Sequence, residues 1–242
     1  MRRAANLFQT SVGKKILMAA SGLLLVGFIV GHMAGNLKML QGCHPAEAGE
    51  VAGASVPGQV CGMDAYAEFL REFGYPMVPH GTLLWAARIA LLGAVGLHMF
   101  AAFQLVSRSR AARPKGYAKA ANQSFSYASR TMRWGGVILL LFIVYHILHM
   151  TTGTLHPDFE HGAVYANYIA GFQNPLVFLF YVVAQLALCF HLYHGLWSVT
   201  QTLGASHPKY NGLRRPVAIG LSLVIFIGFL TPPVLVLAGV VS

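Results

Sequence analysis

The 242-residue chain is 56% hydrophobic and only 10% charged, yet carries a net charge of +10 at pH 7. Soluble domains carry about 25% charged residues, so this composition, with a mean hydropathy of +0.58, excludes an ordinary soluble enzyme. A basic balance of this size suggests nucleic acid in a soluble protein, but here the charge is confined to the ends of apolar runs.

Runs of about 20 apolar residues are long enough to cross a bilayer. Five occur, at roughly 16–39, 82–106, 134–153, 175–203 and 215–240. They predict one integral membrane domain over residues 1–242, all-α, with helices 1–4 forming a bundle. No small-residue cleavage site follows the first run, which argues for a span over a removed signal. With the N-terminus inside, the inner segments 1–15, 107–133 and 204–214, with Arg215 at the edge, hold 14 of the 17 Lys and Arg residues. Glu47, Glu50, Asp64, Glu68, Glu72, Asp158 and Glu160 all fall in the two outer loops. The bias of basic residues toward the cytoplasm predicts a cytoplasmic N-terminus and a periplasmic C-terminus in a bacterial inner membrane. The basic inner face suits an acidic partner or lipid headgroups.

In chain order, a basic lead with Arg2, Arg3, Lys14 and Lys15 precedes helix 1, with Thr10-Ser11 as its expected cap. Ala19, Ala20, Ser21, Gly22, Gly27, Gly31 and Gly35 run along that helix; small residues admit a second helix or a flat cofactor close to the backbone. In the outer loop, Cys43 and Cys61 can pair in an oxidising compartment, while Cys189 is expected to be buried in a helix. Ala65, Phe69, Leu70 and Phe73 recur at helical spacing and predict a short amphipathic helix over 63–73 on the outer membrane surface. Helix 2 carries Arg88, placed either to snorkel outward or to pair with a buried anion such as a cofactor propionate. The inner loop with Arg108, Arg110, Arg113, Lys115, Lys119, Arg130 and Arg133 leads to helix 3, and loop 154–174 to helix 4. Helix 5 reads as structural, with a kink or frayed end at Pro232-Pro233.

Ionisable side chains inside spans are costly and point to function. His32 lies 17 residues past Lys15, about 25 Å of rise, and His146 lies 13 past Arg133, about 20 Å; both sit in the outer half. His98 lies ten residues before Arg108, about 15 Å from the inner edge. On helix 4, His194 is about 14 Å from Leu203 and His191 one turn deeper. Depth therefore sorts the histidines into an outer pair, His32 and His146, and an inner pair, His98 with His191 or His194, leaning to His194. Two levels of two imidazoles suit two bis-histidine haems. Packing histidines would require the same accident four times. A proton relay usually includes Asp or Glu, and no span holds either. Zinc prefers ligands clustered at one level. His149 and His194 each lie one turn from another histidine on a similar face. They are candidates to touch propionates or a quinone carbonyl, or to pack.

Gly13-Lys-Lys-Ile-Leu-Met-Ala-Ala-Ser-Gly-Leu23, Phe28 and His32-Met-Ala-Gly-Asn-Leu37 resemble the opening of the dihaem cytochrome b subunits of succinate dehydrogenase/fumarate reductase. The five-helix plan, Arg133 thirteen residues before His146, His191 followed by Gly195-Leu-Trp197, and Gln201-Thr-Leu-Gly204 match as well. The resemblance implies that His32 and His146 hold the outer, distal haem b and His98 and His191 the inner, proximal one. It decides for His191 over His194. It also implies partners: a flavoprotein with FAD that interconverts succinate and fumarate, and an iron–sulfur subunit that exchanges electrons with this chain. The basic inner loops suit that docking. The electrons are then exchanged with a membrane quinone, expected to be menaquinone. Some dihaem members carry a membrane carboxylate near the fourth-helix ligand, where this chain has Cys189 and Phe190. Electron movement between the haems is then expected to be electrogenic, each charge crossing the membrane being worth about 2.3 kcal/mol per 100 mV. For the quinone, chemistry suggests Arg88 and His149 at the outer end, or Ser11, Lys14 and Lys15 at the inner end. The alternatives are a cytochrome b anchor of a hydrogenase or formate dehydrogenase type, and a non-redox membrane anchor.

Overall fold

The computed structural model describes residues 9–47, 53–112, 127–205 and 207–241, with no side-chain description for 127–131. Arg2, Arg3, Glu50, Arg113, Lys115, Lys119 and the Arg130 side chain, which entered the charge argument, lie outside that description. The regular structure among the described residues is helical apart from a two-stranded ribbon. Helix α1 spans Ser11–Leu37, α2 Gly62–Glu72, α3 Thr82–Ala111, α4 Tyr127–Met150, α5 Val164–Gln173, α6 Pro175–Thr202 and α7 Arg214–Leu237. Five of these, α1, α3, α4, α6 and α7, are long and apolar enough to cross a membrane.

The helix ends follow local chemistry. Thr10 caps α1, its hydroxyl accepting from Gly13 N at 3.0 Å. Asn174 accepts from Leu176 N at 2.9 Å to cap α6, and Pro175 fills the first position, where no N–H is missed. The expected spans are corrected at their ends. Helix α1 starts at Ser11, five residues early, and α4 starts at Tyr127 and stops at Met150, because Gly153 takes a left-handed turn that ends the run. Helix α3 continues to Ala111, so residues 107–111 of the expected inner loop are helix, as are 127–133 at the start of α4. The final helix passes through both Pro232 and Pro233, which are buried, and ends at Leu237.

One end of the bundle is built from the long connections. Cys43 and Cys61 form a disulfide and are register partners in an antiparallel ribbon, β1 (Cys43–Pro45) with β2 (Gln59–Cys61). Helix α2 follows at once. It turns Met63 and Asp64 into the protein and leaves Phe69 exposed, and it ends at Glu72, so Phe73, also exposed, lies just past the helix expected over 63–73. Helix α5 was expected as loop. Asp64 and Ser55 hold its first turn: Tyr165 N donates to Asp64 Oδ1 at 2.9 Å, and Ala166 N to Ser55 Oγ at 3.0 Å. The carboxylate thus occupies the place of an N-cap supplied from another helix. Tyr165, Tyr168 and Phe172 bury against Met39, Cys61 and Tyr181, forming the core of this end. Burial pushes the Tyr168 phenol well above its ordinary range, so it stays neutral.

Within the bundle, α1 packs on α3 and α7, α4 on α6, and α6 on α7. A second core joins Leu192, Ile225 and Phe229 with Val26, Ile29 and Met33 of α1. The fifth span therefore closes the bundle rather than lying outside it. Cys189 is the free cysteine, half-buried rather than enclosed.

Candidate functional site

The histidines matched by depth in the sequence meet in space. His32 on α1 and His146 on α4 have ring centroids 5.7 Å apart. His98 on α3 meets His191 on α6 at 6.1 Å. The lean toward His194 is corrected: His194 packs against Trp197, centroids 6.0 Å apart. His191 and His194 are three positions apart, so both share a helix face, and the rotation of α6 decides which one reaches α3. Among the described residues, α1 and α4 do not pack closely on each other, nor do α3 and α6. Each pair of imidazoles thus meets across the bundle.

Hydrogen bonding sorts the ring nitrogens. His98 Nδ1 lies 3.2 Å from Met18 O and 3.2 Å from Ser21 Oγ. A carbonyl only accepts, so Nδ1 carries the proton and Nε2 keeps a free lone pair. Ser21 gives its own proton to Leu17 O at 2.8 Å, leaving its oxygen to accept. An Nδ1–H anchored on a carbonyl is the usual second partner of a metal-binding histidine. The close approach depends on Gly22, where a Cβ would meet His98 Cε1 at 3.3 Å. In the other pair, His146 Nδ1 lies 3.1 Å from the Tyr181 hydroxyl, which also lies 3.1 Å from His149 Nδ1. Aromatic faces flank this pair: Phe28 stacks on His32 at 5.2 Å, Phe142 on His146 at 5.6 Å, and Phe229 approaches His32 at 5.8 Å. The buried Nδ1 atoms of His191 and His194 have no hydrogen-bond partner among the described residues.

These features fit a bis-histidine iron. Imidazole nitrogens about 2 Å from a shared metal put their ring centroids about 6 Å apart, close to both observed separations. Beside Gly27, Gly31 and Gly195 an added Cβ would meet no protein atom within 4 Å, so a broad ligand has access to the backbone near His32 and His191. No cluster of three or more His, Cys, Asp or Glu side chains suited to a bare metal ion occurs among the described residues.

The remaining candidates do not converge. His149 is 2% exposed; it is bonded to Tyr181 and stacked on His156 at 4.9 Å and Tyr145 at 5.3 Å. Arg88 lies over the Trp85 ring at 4.9 Å. Ser11 and Lys15 are exposed. Lys14 is buried, hydrogen-bonded to Gln104 and 5.7 Å from the Phe100 ring centroid. A shallow groove at the disulfide end, lined by Lys38, Gln41, His44, Tyr66 and Phe69, contains none of the paired histidines. The sequence argument missed Tyr181 and the Met18–Ser21 anchor. Tyr181 lies ten residues before His191 in the same run, and polar atoms at histidine depth were the available signal.

A family model described as succinate dehydrogenase/fumarate reductase transmembrane subunit matches residues 110–230, half of the chain. The matched stretch holds His146, His149, His191 and His194 but not the first-helix motif. Comparisons with curated proteins and with solved structures give no match.

Proposed function

We propose, because this chain belongs to the succinate dehydrogenase/fumarate reductase transmembrane subunit family, that it is the multi-pass anchor through which such a complex exchanges electrons with membrane quinone. The observation that carries this reading is the meeting of two histidine pairs, His32 with His146 and His98 with His191, each drawn from separate spans. His32 and His146 would hold an outer haem b, and His98 and His191 an inner one. Haem iron, when bound, supplies a reversible one-electron centre whose potential the axial ligands tune.

The chain's own part is ligation, orientation and insulation. The Met18 carbonyl fixes the His98 tautomer, so its Nε2 keeps a lone pair for ligation. Phe28, Phe142 and Phe229 surround the outer pair with apolar surface that excludes water. Spans without Asp or Glu offer no carboxylate to carry a proton alongside the electron, which supports an electrogenic transfer. Family membership implies a flavoprotein subunit with FAD and an iron–sulfur subunit as partners. Lys15, Arg108, Arg110, Lys209, Arg214 and Arg215 form a basic end suited to docking them on the cytoplasmic face of a bacterial inner membrane. Menaquinone is the proposed quinone. The family assignment weighs against a hydrogenase or formate dehydrogenase anchor.

The test is a dithionite-reduced minus oxidised spectrum of the purified complex, with haem quantified per chain. Two haems b per chain are expected. A single haem would make one pair structural, and none would leave a non-redox anchor.

A further inference from the structure

We propose that Tyr181 is a positioning residue for the outer iron: its hydroxyl, 3.1 Å from both His146 Nδ1 and His149 Nδ1, fixes the tautomer and basicity of the His146 ligand. The inference rests on the haem reading above. A tyrosine hydroxyl has one proton, so between two Nδ1 atoms it accepts from one and donates to the other. One direction leaves His146 with its proton on Nε2 and unable to ligate through that atom. The other has His146 Nδ1–H donating to the Tyr181 oxygen and the Tyr181 O–H donating to His149 Nδ1. Only this direction frees His146 Nε2 for iron.

The surroundings keep the hydroxyl at that point. Phe142 and Phe172 meet the Tyr181 ring edge-on, with centroids 5.0 and 4.8 Å away. His149 is locked by stacking on His156, whose Nε2 lies 3.0 Å from Asn167 O. Gly171 permits this packing, since a Cβ there would meet His149 Cε1 at 3.0 Å. The two levels are thus built alike. Each has one anchored histidine, His98 on a carbonyl and His146 on a phenol in series with His149. A chain of hydrogen bonds strengthens its members, and a bond donated by the far ring nitrogen raises ligand basicity and favours oxidised iron.

Tyr181→Phe removes the hydroxyl and keeps the ring contacts. Redox titration of the assembled complex, following the two haem bands, is expected to show the outer midpoint potential shifted upward and the inner one unmoved. His149→Phe, which keeps an aromatic stack but removes the acceptor, is expected to give a smaller upward shift. Two haems with an unmoved or lowered outer potential in Tyr181→Phe overturn this inference alone. If Tyr181→Phe yields no complex, His149→Phe decides by the same criterion. An unmodified complex without haem overturns the functional reading together with this one.

Discussion

Met18 offers His98 nothing but a carbonyl, and that acceptor alone determines which imidazole nitrogen is free. At the residue scale the four paired histidines are therefore unequal: two are anchored, and His191 Nδ1 has no partner among the described residues. The ligand assignment predicts different outcomes for neighbours on one helix. His191→Ala or His98→Ala should leave one haem per chain, and His194→Ala should leave two, read from the pyridine haemochrome and the reduced spectrum. His32→Ala should likewise remove only the outer haem. If His191→Ala retained both haems and His194→Ala lost one, the inner ligand would be misassigned. Depth along the helix axis was countable in the sequence. The rotation of α6 that turns His191 rather than His194 toward α3 was not, because positions three apart differ little in direction and only packing against α7 and α4 fixes the angle.

At the element scale, α5 is the instructive helix. Its ten residues are too few to be stable alone, and nothing in Val164–Gln173 spells a span. It exists because Asp64 and Ser55, about a hundred residues earlier, take its first N–H groups. Asp64 is 6% exposed, so removing it leaves buried donors unpaired. Asp64→Ala is expected to destabilise the complex by about 2–3 kcal/mol, read as an earlier thermal transition in detergent. Asp64→Asn, which keeps an acceptor oxygen, should lose less. A local cap such as Thr10 is the opposite case: donor, acceptor and helix lie within three residues, so the sequence announces it.

Across the whole molecule, the loops with the disulfide and α5 gather at one end, and the basic segments flank the other. If the basic end faces the cytoplasm, alkaline phosphatase inserted at 154–163 should be active and inserted at 204–213 inactive; the reverse pattern would invert the docking face. The sequence by itself determined the five spans and the two levels of histidine. Those follow from the cost of polar groups in hydrocarbon and from a fixed rise of 1.5 Å per residue. Only the tertiary structure decided which imidazoles touch, which nitrogen each leaves free, and that Tyr181 joins His146 to His149. Those depend on helix rotation and on contacts between residues far apart in the chain, and no linear spacing encodes either.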